Sequence, residues 1–149
     1  MSEIAVGMTA SPGVVLTVLT HLDSGKVDDA VALFAEEFRF NDYGIGLEFK
    51  DKGRLAEFFR KNRELYPDAE LQPDTIFLRG DRVAAEWTLR ATLVEPFSGG
   101  LSRKLPISLR GASIVRTENG KIVDWADYYD GLTSRRTALA AHFEEWVEL

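Results

Sequence analysis

The sequence predicts an α+β fold: a strongly curved, mostly antiparallel sheet wrapped on three helices into a cone. Three observations predict it. Early segments repeat apolar residues at helical spacing, later ones alternate with period two, and Glu118-Asn119-Gly120 is a turn signal joining the last two strands. A strand with one apolar face needs that face covered, and the helices are the elements available to cover it.

Residues 1–10 read as a loose leader. Ser11-Pro12 starts a helix, with Ser as cap and Pro at the first helical position, and Val15, Val18, Leu19 and Leu22 follow at helical spacing. Gly25 stops it. A short helix from Asp28 carries Ala30, Val31, Leu33 and Phe34. Period two then places Phe38, Phe40 and Asp42 on one face, before Gly44 and Gly46 open a loop. A third helix, 51–66, bears Leu55, Phe58, Phe59, Asn62 and Leu65 along one stripe and ends at Pro67. Strands follow at 71–78, 82–94, 104–115 and 120–130. The second of these has Ala85, Trp87, Leu89, Ala91 and Leu93 on its apolar face, and the third has Ile107, Leu109, Gly111, Ser113 and Val115. A final helix, within 133–149, carries Leu139, Phe143 and Trp146. No repeat or linker interrupts this order, so one domain is expected over 1–149.

Bulk properties narrow the function classes. The chain has 149 residues, 45% hydrophobic and 28% charged, with a net charge of −6. No cluster of Lys and Arg offers a surface to nucleic acid or to anionic membranes. No apolar run reaches the roughly 18 residues of a membrane span, and the N-terminus lacks a secretory pattern. A cytoplasmic location is the expectation. There is no cysteine, and His21 and His142 lack metal-ligand spacing, so neither a metal nor a cofactor is expected. His142 falls either at a cavity rim or on the surface.

The chemistry concentrates in the last strand. By parity Val123, Trp125, Asp127 and Tyr129 share its inward face, and Ile122, Asp124, Ala126 and Tyr128 the outer one. A carboxylate among aromatics is expensive to bury and a poor strand former. Asp127 is therefore either a proton-transfer group, with its pKa raised by lost hydration, or a structural acceptor for a hydroxyl or amide. Asp42 is its inward-facing partner or else shapes the turn before Gly44. Two carboxylates in one cavity would repel, separating acid from base. Tyr129 offers a hydroxyl to polarise a ligand oxygen. Phe38, Phe40, Trp87, Leu89, Leu109, Ser113 and Trp125 form either a wall for a flat apolar ligand or a filled core. On the outer face, Glu86 and Arg90 face Arg110 and Arg116 of the next strand, a pattern suited to cross-strand ion pairs or to a partner.

With these elements in order, the chain resembles the nuclear transport factor 2-like superfamily, and within it the SnoaL-like group of polyketide cyclases, ketosteroid isomerases and limonene-epoxide hydrolase. The residues that carry the resemblance are FAEEFRFND at 34–42, AAEWTLRAT at 84–92 and GASIVRTENGKIVDWADYYD at 111–130. It implies a cone-shaped fold and a homodimer through the outer sheet face, including Arg90 and Arg110. Trp125 and Asp127 match the W-x-D motif of the epoxide hydrolase. The positions matching that enzyme's arginine and second aspartate are Trp87 and Leu89, and its tyrosine and asparagine positions are Phe40 and Asp42, so its triad is missing. What remains is nearer to the acid–base pattern of the cyclases and isomerases. The expected function is cofactor-free acid–base chemistry on a small apolar, ring-bearing molecule, with Asp127, Asp42 and Tyr129 as catalytic residues. A non-catalytic binder of such a ligand, or a structural dimerisation domain, are the alternatives. A cone filled by Trp87 packed on Trp125 would favour the last.

Overall fold

A computed structural model describes residues 12–96 and 98–133; the expected leader, final helix and His142 lie outside them. Helix α1 (Pro12–Asp23) buries Val15, Val18 and Leu19 and stops at Gly25, whose φ of 75° is open to glycine at little cost. Helix α2 (Val27–Val31) is shorter than its apolar pattern, because Phe34 already begins strand β1 (Phe34–Asp42). Strand β2 (Leu47–Phe49) lies where a loop was expected and pairs antiparallel with the end of β1. Helix α3 (Lys52–Leu65) is capped by Asp51, whose Oδ1 accepts the Arg54 amide at 2.9 Å. It buries Leu55, Ala56 and Phe59. Leu65, counted above in the same stripe, is the last residue of the helix and is 70% exposed.

Four long strands complete the chain: β3 (Glu70–Arg79), β4 (Arg82–Pro96), β5 (Ser102–Glu118) and β6 (Lys121–Tyr129). The sheet runs β2-β1-β6-β5-β4-β3, antiparallel throughout except for the parallel pair β1 and β6. Trp87 and Trp125 are almost fully buried, on the concave face that the helices cover.

One parity assignment fails. A bulge in β6 slips the register between Arg116–Asp124 and Thr117–Ile122, leaving Val123 extra. Ile122 is thereby turned into the core and Val123 out of it, the reverse of strict alternation. A second slip in β3, at Asp74, lets that carboxylate accept from Thr88 Oγ1 at 2.6 Å across the strand pair. Glu86 and Arg90 of β4 form no ion pair with Arg110 or Arg116 of β5. The register sets Glu86 opposite Ala112 and Arg90 opposite Ser108; Arg90 instead bonds Gln72, and Arg116 pairs with Glu118 on its own strand. No helix among the described residues is long and apolar enough to cross a membrane.

Candidate active site

The sheet curls around a cavity of about 410 Å³ rather than closing on a filled core. Trp87 and Trp125 do not fill it against one another. Trp125 stacks on Phe40, with ring centres 6.3 Å apart, while Trp87 packs near Tyr129 at 6.2 Å. Phe40, Leu89, Leu109 and Ser113 also line the cavity. Phe38 does not: its ring packs edge-on against Phe34 in the core.

Asp127 and Asp42 are paired residues of the parallel β6 and β1 ladder, so the two carboxyls enter the cavity side by side. Both side-chain hydrogen bonds to the Asp127 carboxyl end on Oδ1: Ser113 Oγ donates at 2.5 Å and Trp125 Nε1 at 2.6 Å. Ser113 is oriented in turn, because its oxygen accepts Trp87 Nε1–H at 2.9 Å and its proton is thereby directed to Asp127. The indole of Trp87 reaches that position by lying over Gly111, where a Cβ would stand 2.4 Å from the ring. Oδ2 of Asp127 receives no donor from the described residues and is not buried without a partner, so it is the oxygen presented to the cavity.

Burial pushes the Asp127 carboxyl up to about 7. The Ser113 and Trp125 bonds pull the other way, and the neighbouring charge of Asp42 adds to the rise. Asp42, itself buried, accepts three donors. The Gly44 and Ile45 amides bond Oδ1 at 3.0 and 3.1 Å, and Tyr129 Oη donates to Oδ2 at 2.8 Å. It thus shapes the turn after β1 and faces the cavity at once. Tyr129 is pushed above the ordinary tyrosine range by burial, by its bond to Asp42 and by the nearby carboxylates. Its proton is committed to Asp42. As an oxygen-polarising donor, the role expected for it, Tyr129 is therefore not available; what it shows the cavity is its oxygen lone pairs.

The α-helical wall was not legible as part of the site. Phe58, Phe59, Asn62 and Arg63 of α3, Tyr66 beyond it, and Leu19, Leu22 and Asp23 of α1 all line the cavity. Asn62 interrupting the apolar stripe of α3 was the available signal. Arg63, the one cation lining the cavity among the described residues, bonds the main-chain carbonyls of Leu22 and Asp23. No group of His, Cys, Asp and Glu suited to a metal occurs among the described residues.

The model of the SnoaL-like polyketide cyclases matches residues 13–137. The chain belongs to that family. Among solved structures, this SnoaL-like chain is similar to a protein of the ketosteroid isomerase-like fold from Catenulispora acidiphila, in complex with trimethylamine. The identity is 16%, over 86% of this chain and 93% of that one, with a TM-score of 0.73. It is similar to IdmH from Streptomyces antibioticus, described as a candidate polyketide cyclase, at 19% identity over 84% and 95% of the two chains (TM-score 0.72). It is also similar to AclR from Streptomyces galilaeus, described as a candidate hydroxylase, at 18% identity over 80% and 78% (TM-score 0.66). No curated protein matches the sequence. At these identities the likeness establishes the cone-shaped nuclear transport factor 2-like fold, and the reaction is a separate question.

Proposed function

We propose that this SnoaL-like protein is a cofactor-independent acid–base enzyme that enolises a small, apolar, ring-bearing carbonyl compound, as an isomerase or cyclase must. The observation that carries the reading is Asp127: a carboxyl raised to about 7 with one oxygen held and the other facing an apolar cavity. A group titrating near working pH both keeps and gives up a proton readily. That a neighbour of this fold was solved with a small organic molecule supports ligand binding as a use of the cavity.

In this mechanism neutral Asp127 donates from Oδ2 to the ligand carbonyl oxygen. The α C–H bond breaks, its electron pair forms the C=C bond of the enol, and its proton passes to Tyr129 Oη while the Tyr129 proton moves along its existing bond to Asp42 Oδ2. The acid and the base are thus different groups in one cavity, and the rate falls as pH rises through about 7 and Asp127 ionises. Deuterium uptake at the α carbon of 2-methylcyclohexanone in D₂O tests this. Asp127→Asn, which can hold a hydrogen bond but not give up a proton in this range, is expected to slow exchange by about 10²-fold. Exchange by the Asn variant equal to that of the unsubstituted protein would remove Asp127 from the reaction.

A further inference from the structure

The hydrogen-bond donors on the sheet wall decide what the cavity can hold, given the same reading that it takes a ligand. Among the described residues four side-chain donors stand on that wall, and every one is spent on a neighbour. Trp87 Nε1–H goes to Ser113, Ser113 Oγ–H and Trp125 Nε1–H go to Asp127, and Tyr129 Oη–H goes to Asp42. The free valences are Asp127 Oδ2 and the lone pairs of Tyr129. When Asp127 is ionised, the wall accepts hydrogen bonds and offers none.

Charge points the same way. Among the described residues four carboxylates line the cavity (Asp23, Asp42, Asp127 and Asp130), and Arg63 is tied to the end of α1. Around them stand the rings of Phe40, Phe58, Phe59, Trp87 and Trp125. Aromatic faces attract a cation, and a cation beside Asp127 and Asp42 relieves their mutual repulsion. We infer that the cavity binds protonated amines with an apolar body, the ammonium N–H donating to Asp127 Oδ2 and the body lying among the aromatic rings.

Binding then depends on pH in opposite senses for two ligands of similar shape. Asp127 is faced by Asp42 from β1 and Tyr129 from β6. Asp130, Asp23, Arg63 and Tyr66 complete the titratable groups of the cavity among the described residues, and β4 and β5 contribute Trp87 and Ser113, which do not titrate in this range. N,N-dimethylcyclohexylamine, cationic throughout, needs Asp127 ionised. Cyclohexyl methyl ketone, which only accepts, needs it protonated.

Binding of both probes is read by calorimetry and by emission of the cavity tryptophans at pH 6 and pH 8. The amine is expected to bind about tenfold more tightly at pH 8, the ratio of ionised fractions for a group titrating at about 7, and the ketone to weaken over the same interval. In Asp127→Asn both dependences are expected to vanish and the amine to lose affinity. Amine binding that stays flat or weakens from pH 6 to pH 8 overturns the inference on the unsubstituted protein alone, whatever the variant does. If the ketone then binds with the expected dependence, the enzymatic reading survives. If neither probe binds, both readings fall.

Discussion

At pH 8.5 the Asp127→Asn protein is expected to melt higher than the unsubstituted one, and at pH 4 or below the two are expected to melt nearly together. The Asp127 carboxyl titrates at about 7 in the folded chain against 3.8 in its reference state. Between those values the folded state holds a proton that the unfolded state has released, so stability falls as pH rises from about 4 to about 7 and the whole loss is present above 7. Its ceiling is about 4 kcal/mol, and because Oδ2 faces the cavity and keeps part of its hydration, about 1–2 kcal/mol is the expected relief. Asn retains an oxygen to accept from Ser113 and Trp125, so those two bonds survive without their charge assistance. For a chain of this size the gain corresponds to about 5 °C. Thermal melts at the two pH values read it directly. A loss of several degrees at pH 8.5 would mark Asp127 as a structural acceptor placed there for its bonds.

Gly131→Ala is expected to be among the most damaging single substitutions in the described chain. A Cβ at residue 131 would stand 1.7 Å from the carbonyl oxygen of Gly44, a backbone atom that cannot swing aside as a side-chain tip does. Gly44 itself has no room to retreat, since its own Cα faces the Tyr129 ring so closely that a Cβ there would lie 2.2 Å from it. The turn after β1 and the turn after β6 therefore cross at the cavity with glycine on both sides. Separating them disturbs the two amides that bond Asp42 and the ring whose hydroxyl bonds it as well. The loss is expected to be about 3 kcal/mol, at the upper end of overpacking costs, and denaturant unfolding measures it. A variant within about 0.5 kcal/mol of the unsubstituted protein, the range of neutral surface changes, would mean that the two turns are free to part.

The parts of this site that a linear reading finds are those governed by local periodicity. Asp127 was conspicuous because an acid interrupts an apolar strand face, and Asp42 because it keeps step with Phe40. Period-two reasoning failed at the bulge: an extra residue at Val123 exchanges the faces of Ile122 and Val123 with no mark in composition. Strand β2, three residues long, is too short to show any period. The direction of the Tyr129 hydroxyl was out of reach for a different reason, since its acceptor lies on β1 and meets it only through the parallel pairing of β1 and β6. Ser113 stood in plain view on an apolar face. Its bond to Asp127, and its orientation by Trp87, depend on two further strands arriving in register.

Both the reaction and the amine site require an Asp127 that is half protonated at neutral pH. The ¹³C carboxyl resonance of Asp127, assigned by its absence in Asp127→Asn and followed from pH 3 to pH 9, measures that property without a substrate. A midpoint at about 7 is the result predicted here. A midpoint near the ordinary aspartate value of about 4 would contradict it, leaving a carboxylate that is always ionised at working pH and has no proton to give.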